Sequence, residues 1–187
     1  MSNQHSLLLA PPLDTLECIN GTKPLTLAEL KGTVVSIHAF HILCSGCVIH
    51  GLPQASSIYE LFSKEDVQVI GLHTVFEHHS VMTSEALTAF AHEYRLPFPI
   101  AIDRPSDSGA IPHSMANYQM QGTPTLIILD KNGCIRMNHF GRMSDMQVGS
   151  VIGRLIEEKS ISSNAFEKPE SSIDLASHRC GEDGCSI

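Results

Sequence analysis

The chain has 187 residues, 42% hydrophobic and 17% charged, which is enough apolar material for one well-packed domain with residues to spare. A formal net charge of −8, with only 12 Lys plus Arg and no basic run, excludes nucleic acid and anionic membrane as electrostatic partners. No apolar run approaches the roughly 20 residues of a membrane span, and MSNQHSLLLAPPL has neither the charged start nor the apolar length of a signal peptide.

The expectation is therefore a soluble, cytoplasmic protein. In a reducing compartment its six cysteines (Cys18, Cys44, Cys47, Cys134, Cys180 and Cys185) point to catalysis or metal binding rather than a disulfide framework. Residues 1–12 read as an N-terminal arm. Residues 16–27 read as a β-hairpin turning at Asn20-Gly21. Thr26-Leu-Ala-Glu29 has the capping-box pattern and Gly32 a C-terminal stop, which predicts a short helix between them. Thr33 to Phe40 is a β-branched run suited to a buried strand.

A helix follows to about residue 63 on a stripe of Ile49, Leu52, Ile58, Leu61 and Phe62, with Pro53 expected to kink it or end its first turn. Val67 to Leu72 is apolar at nearly every position, as in a parallel sheet covered on both faces. Strand, helix, strand is a βαβ unit with a right-handed crossover. A helix opening at Ser84-Glu85 carries Leu87, Phe90, Ala91 and Tyr94 on one face. Phe98 to Ile102 is a short strand, and the polar residues 103–117 read as an ordered excursion or lid.

Thr125–Leu129 and Cys134–Phe140 flank Asp130-Lys-Asn-Gly133, a strong hairpin signal. A last amphipathic helix spans about Ser144 to Glu158, with Val148, Val151, Ile152 and Leu155 inward. This bounds a domain over 13–159. Residues 160–187 turn serine-rich and acidic, with too few large apolar residues for a core, and read as a flexible tail carrying Cys180 and Cys185.

The chemistry centres on Cys44-Ser-Gly-Cys47. Cys44 falls where the buried strand gives way to the helix, so its sulfur meets unpaired N–H groups and the positive end of the helix dipole. Both favour the thiolate, which is the nucleophile. Cys47 lies one turn on and on the same face, placed to resolve a mixed disulfide on Cys44. A metal clip of Cys44, Cys47 and His50 is the weaker alternative, since a closed zinc site draws a second ligand pair of similar spacing. Haem attachment is excluded because residue 48 is Val.

His41, just before Cys44, is a candidate to favour the thiolate as an imidazolium. Glu77 is a candidate proton shuttle at the carboxyl edge of the sheet. His38 and His73 read as core histidines, and Cys18 and Cys134 as small hydrophobes. The tail pair, Cys180 and Cys185, is a candidate electron relay. About 20 flexible residues reach on the order of 25 Å.

GTVVSIHAFHILCSGC, followed downstream by YQMQGTPTLIILDKNG, resembles the thioredoxin-like superfamily. The closest branch is the redoxin group of cytochrome-maturation thiol–disulfide reductases and peroxiredoxins. The resemblance covers roughly residues 13–159. It implies an α/β thioredoxin-like fold, with a central mixed sheet flanked by helices and an N-terminal β-hairpin extension.

It further implies a cis Pro124 against the dithiol and a Thr123 backbone that pairs with substrate. The redox-active disulfide would need no bound cofactor. The partners it implies are a disulfide-bearing protein or small disulfide and an external dithiol reductant. The sequence departs from the pattern in four ways: Leu43 replaces the usual tryptophan, the loop from strand to cysteine is one residue longer than in plain thioredoxins, the peroxiredoxin signature is unmet, and Ser-Gly separates the cysteines. A peroxidase with Cys44 as the oxidised thiol is the enzyme alternative, and a metal-binding protein of the same fold is the other.

Overall fold

A computed structural model describes residues 8–21 and 26–158 of the chain. Six strands, β1 (Thr15–Ile19), β2 (Val34–Phe40), β3 (Val67–His73), β4 (Ile100–Asp103), β5 (Thr125–Leu129) and β6 (Ile135–Phe140), form one mixed sheet in the order β1-β4-β3-β2-β5-β6. At its centre, β2 (Val34–Phe40) runs parallel to β3 (Val67–His73) and antiparallel to β5 (Thr125–Leu129). All seven residues of β2 are buried, as expected of a strand covered on both faces. β4 (Ile100–Asp103) adds parallel to β3, while β6 (Ile135–Phe140) pairs antiparallel with β5 through the expected Asp130–Gly133 turn.

The alternation of a strand sorts β2 into two layers. Val34 and Phe40 join a core with Leu52, Ala55 and Ile58 of α1 (Leu52–Leu61) and Val148, Ile152 and Leu155 of α4 (Asp145–Glu157). Leu87 and Ala91 of α2 (Ser84–Glu93) belong to the same layer. Val35, Ile37 and Ala39 face the other core, with Met115 of the short α3 (His113–Asn117) and Tyr118 just after it. Ser144 caps α4 through a reciprocal pair with Gln147, one residue inside the expected start.

Three expectations are corrected. β1 (Thr15–Ile19) is present, but its ladder partner is β4, with Thr15 opposite Asp103 and Ile19 opposite Ile100. The hairpin's return arm falls partly on 22–25, outside the described residues, and residues 26–27 belong to no strand.

Residues 26–33 form successive four-residue turns rather than a helix, with Glu29 N donating to Thr26 O and Thr33 N to Leu30 O. The Thr26 hydroxyl bonds the Glu29 carboxylate, at 2.9 Å, where a capping box would have it accept a backbone N–H. Of the expected stripe, Ile49, in the turn before α1, and Leu61, at the end of α1, are exposed, and Ala55 takes the inward place between Leu52 and Ile58.

The excursion at 103–117 folds back onto the sheet. The Asp103 carboxylate accepts from Ser114 N (2.8 Å), Met115 N (3.0 Å) and the Thr74 hydroxyl (2.9 Å). That fastens α3 to the sheet face opposite α1, away from the dithiol layer. The N-terminal arm also takes part: Leu9 bridges Cys134, and Ile135 N donates to Leu8 O. Cys180 and Cys185 lie outside the described residues.

Candidate active site

The chain leaves β2 at Phe40, turns so that Cys44 N donates to His41 O (3.1 Å), and enters a helix whose first acceptor is Cys44 O, bonded by Val48 N (3.0 Å). Cys44 is thus the N-cap. Its sulfur accepts the amide of Cys47, three residues in, at 3.1 Å, where a serine or aspartate oxygen would sit in an ordinary cap. Cys44 and Cys47 are joined in a disulfide with Cα atoms 5.2 Å apart.

Their exposures differ. Cys44 is half-buried, whereas Cys47 is fully buried among the residues of the α1 layer. Only the first sulfur is open to an incoming disulfide.

Pro53 has no amide to continue the ladder and its ring would meet the carbonyl four residues back. The helix absorbs this in one wide turn, Cys47–Gly51, in which Leu52 N reaches Cys47 O, five residues back. Regular α1 begins there, so the expected disturbance at Pro53 takes the form of a π-turn rather than a break.

Thr123–Pro124 is cis. The Thr123 carbonyl oxygen lies 3.6 Å from Cys44 Sγ. Pro124 sits against the helix where side chains are missing: a Cβ on Gly46 would come 3.3 Å from Pro124 Cδ, and one on Gly51 3.3 Å from Pro124 Cβ. Gly141 N donates to Pro124 O (2.8 Å), and Thr125 Oγ1 to Gly122 O (2.7 Å), so backbone bonds hold the loop from both sides. The structure therefore brings Cys44, Cys47, Thr123 and Pro124 together. Sequence reasoning marked Gly46 only as part of the Ser-Gly spacer and did not single out Gly51 and Gly141, whose only signal was the absence of side chains.

His41 and Glu77 also meet, with Nε2 and Oε1 3.4 Å apart. Burial pushes the His41 imidazole below its ordinary range, against the pull of the Glu77 carboxylate, and His78 adds to the lowering. Near neutral pH this is a neutral ring, so the imidazolium role expected from the sequence is opposed by the ring's own desolvation. Its Nδ1 is buried without a partner, as is Nε2 of His73. His38 and His73 are both core side chains, pushed down to about 4 by burial. Burial raises the thiols of Cys18 and Cys134 above their ordinary value, which fits small hydrophobes better than nucleophiles.

His50 is exposed on the π-turn and lines a cleft of about 210 Å³ beside Pro124. Among the described residues, no three His, Cys, Asp or Glu side chains converge as a metal site requires. Sulfurs bonded to each other also have no thiolate to offer a metal, which removes the Cys44–Cys47–His50 clip from the state described.

A thioredoxin-like sheet with a capped, half-open cysteine, a buried second cysteine and a cis-proline loop over the pair defines the class of thiol–disulfide oxidoreductases. The chain belongs to the Redoxin family, whose model matches residues 9–152. It is 27% identical to thioredoxin-like protein YneN of Bacillus subtilis over 134 residues, 72% of this chain and 71% of that protein. It is 23% identical to thiol-disulfide oxidoreductase ResA of Bacillus cereus over 133 residues, 71% of this chain and 69% of that protein.

Two crystal structures are nearer in sequence. A thioredoxin-like superfamily protein, SPOA0173, superposes with a TM-score of 0.81 at 47% identity, over 82% of this chain and 99% of that one. A thiol-disulfide isomerase from Corynebacterium glutamicum superposes with a TM-score of 0.79 at 43% identity, with the same coverage.

Proposed function

We propose that the protein exchanges its dithiol with a disulfide carried by a protein or a small molecule, with Cys44 as nucleophile and Cys47 as resolving thiol. The observation that carries this assignment is the asymmetry of the pair: Cys44 Sγ accepts the Cys47 amide at 3.1 Å and is half-open, while Cys47 is fully buried.

The Cys44 thiolate attacks one sulfur of the partner disulfide and expels the other as a thiolate, which takes a proton from solvent. Cys47, deprotonated, then attacks Cys44 Sγ, releases the second partner thiolate and leaves the Cys44–Cys47 disulfide. Two electrons pass to the partner, and an external dithiol returns them. In the cytoplasm, the setting the sequence leads us to expect, the net direction is reduction of the partner. The Thr123 backbone beside Cys44 supplies an extended edge for the substrate segment.

The test mixes reduced protein with a model protein disulfide and, separately, with hydrogen peroxide in stopped flow. Fast disulfide exchange is expected, lost in Cys44→Ser, with a trapped mixed disulfide in Cys47→Ser. A peroxide reaction faster than exchange would replace this reading with a thiol peroxidase. Mixed disulfide accumulating on Cys47 in the Cys44→Ser protein would reverse the assigned roles.

A further inference from the structure

The cleft of about 210 Å³ lies between the wide turn at the start of the active-site helix and the loop that joins β6 to α4, with Pro124 in its wall. Neither cysteine lines it; it joins the dithiol through Pro124, whose neighbour Thr123 has its carbonyl 3.6 Å from Cys44 Sγ, and nothing in the exchange chemistry itself uses it.

Its polar walls are specific. Gln54 of α1 donates through Nε2 to Met143 O (2.9 Å) and to Asp145 Oδ1 (2.7 Å), which clasps the loop to the active-site helix. Arg142 sits in that loop, one residue after Gly141, whose amide holds the Pro124 carbonyl. Among the described residues, the arginines with carboxylate partners are Arg104 and Arg136, and Arg142 is not one of them. Its side chain is exposed and lines the cleft.

The floor carries a buried polar group. His38 is 4% exposed, with Nε2 held 3.0 Å from the Ser36 hydroxyl. The charged or chargeable groups facing the space are thus Arg142, Asp145, His50 and His38. Asp145 is engaged by Gln54 and stands in the first turn of α4, where the helix dipole already favours its negative charge. The Arg142 guanidinium remains for a ligand, in a chain whose net charge is −8.

We infer that this cleft is a substrate subsite that receives a carboxylate carried next to the reacting disulfide, with Arg142 as the selecting cation. The inference rests on the exchange reaction proposed above and names its substrate class. The carboxylate belongs either to an acidic residue flanking a protein disulfide or to a small acidic disulfide of the glutathione kind. No covalent step is added: Arg142 orients the partner and raises the encounter rate, and Cys44 performs the same attack.

The experiment uses the reduced full-length chain and three short peptides with an internal disulfide, differing only in having Asp, Asn or Lys beside one cysteine. Rates come from acid quench and separation of oxidised from reduced protein. A second arm compares glutathione disulfide with cystamine, one anionic and one cationic. The Asp peptide is expected to react about five-fold faster than the Lys peptide at low salt, the size of one screened surface ion pair. The ratio should collapse as ionic strength rises.

Arg142→Ala should bring the ratio to about one and Arg142→Glu should invert it, with Arg142→Lys retaining part, as a point charge lacks the bidentate fork. The Asn peptide serves as the internal standard: its rate should hold in all three variants, which a merely misfolded loop would not allow. A charge preference confined to the small disulfides and lost in Arg142→Ala would assign the carboxylate to a small molecule. Equal Asp and Lys rates together with equal small-disulfide rates, or a preference that survives Arg142→Ala, would overturn the subsite. Failure of every disulfide to react would instead sink the exchange reaction.

Discussion

Acid should destabilise this protein well above the range where carboxylates titrate, because two core histidines must be buried uncharged. His38 is 4% exposed and His73 1%, and burial lowers each from 6.5 to about 4. A group whose folded value is depressed contributes stability that is present above its unfolded value and lost as pH falls toward its folded value. The window therefore runs from about pH 6.5 down to about pH 4. At pH 5 the unfolded chain holds a proton on each ring that the folded chain excludes, which costs about 2 kcal/mol per histidine.

Together that is a large share of the 5–15 kcal/mol typical of a domain. His41 is lowered as well and adds in the same direction. Asp103 works the other way: burial raises its carboxyl, so protonation at low pH relieves part of its desolvation. The assay is urea unfolding of the oxidised protein by far-UV circular dichroism at pH 7.5 and pH 5.0. His38→Gln, which can keep a hydrogen bond to Ser36, and His73→Phe, beside the Phe40 ring, should each lose close to half of the acid sensitivity. Equal unfolding free energies at the two pH values would refute the reasoning. So would a double variant that keeps the full dependence.

Other substitutions separate packing from chemistry. Gly46→Ala should leave stability nearly unchanged, because alanine's helix preference of about 1 kcal/mol opposes the 3.3 Å approach to Pro124. Displacing the proline loop by a few tenths of an ångström should slow exchange by about three- to ten-fold in stopped flow. Asp130→Ala should cost about 2–4 kcal/mol in urea unfolding, since the buried carboxylate holds the amides of Asn132 and Cys134 and the Arg136 guanidinium. Gln54→Ala should cost only about 1 kcal/mol for its two bonds but slow peptide disulfides more than small ones, a ratio read from the same rate measurements.

The central βαβ unit was legible because its physics is local. β2 and β3 are apolar at almost every position, and α4 follows from the stripe of Val148, Val151, Ile152 and Leu155. The dithiol was legible for the same reason, since a cysteine at a strand–helix junction meets free amides whatever the rest of the chain does. What failed depended on distant partners. The Asn20-Gly21 turn signal is real chemistry, and Asn20 does take a positive φ of 59°. Its strand also pairs with β4, about eighty residues away, a partner that no local signal names, while residues 22–25 of the return arm lie outside the described residues. The Thr26–Glu29 segment has helical capping residues but too few positions to offset nucleation. The stripe was misjudged at Ile49 because the π-turn at Cys47–Gly51 shifts the helical phase ahead of Leu52, and at Leu61 because nine residues at 3.6 per turn carry it to the face opposite Leu52.

Using cysteine as an N-cap has a thermodynamic consequence for the direction of the reaction. In the reduced protein the Cys47 amide and the helix end meet a full negative charge on Cys44. In the disulfide they meet only a weak neutral acceptor at 3.1 Å. The cap therefore stabilises the reduced form selectively and draws the potential upward, by about 30 mV for each 1.4 kcal/mol. Burial of Cys47 pulls the other way, because the reduced form must accommodate a thiol in an apolar layer where the disulfide has no polar hydrogen to satisfy. A reductant of partner disulfides needs the second influence to hold its own against the first. The spacer should decide the balance: Ser45 and Gly46 contribute the first two amides of the helix, and Gly46 lets Pro124 close over the pair. Exchanging Gly46 for alanine changes that closure without touching the Cys47 amide, so an unchanged potential in that variant would locate the control in the cap itself.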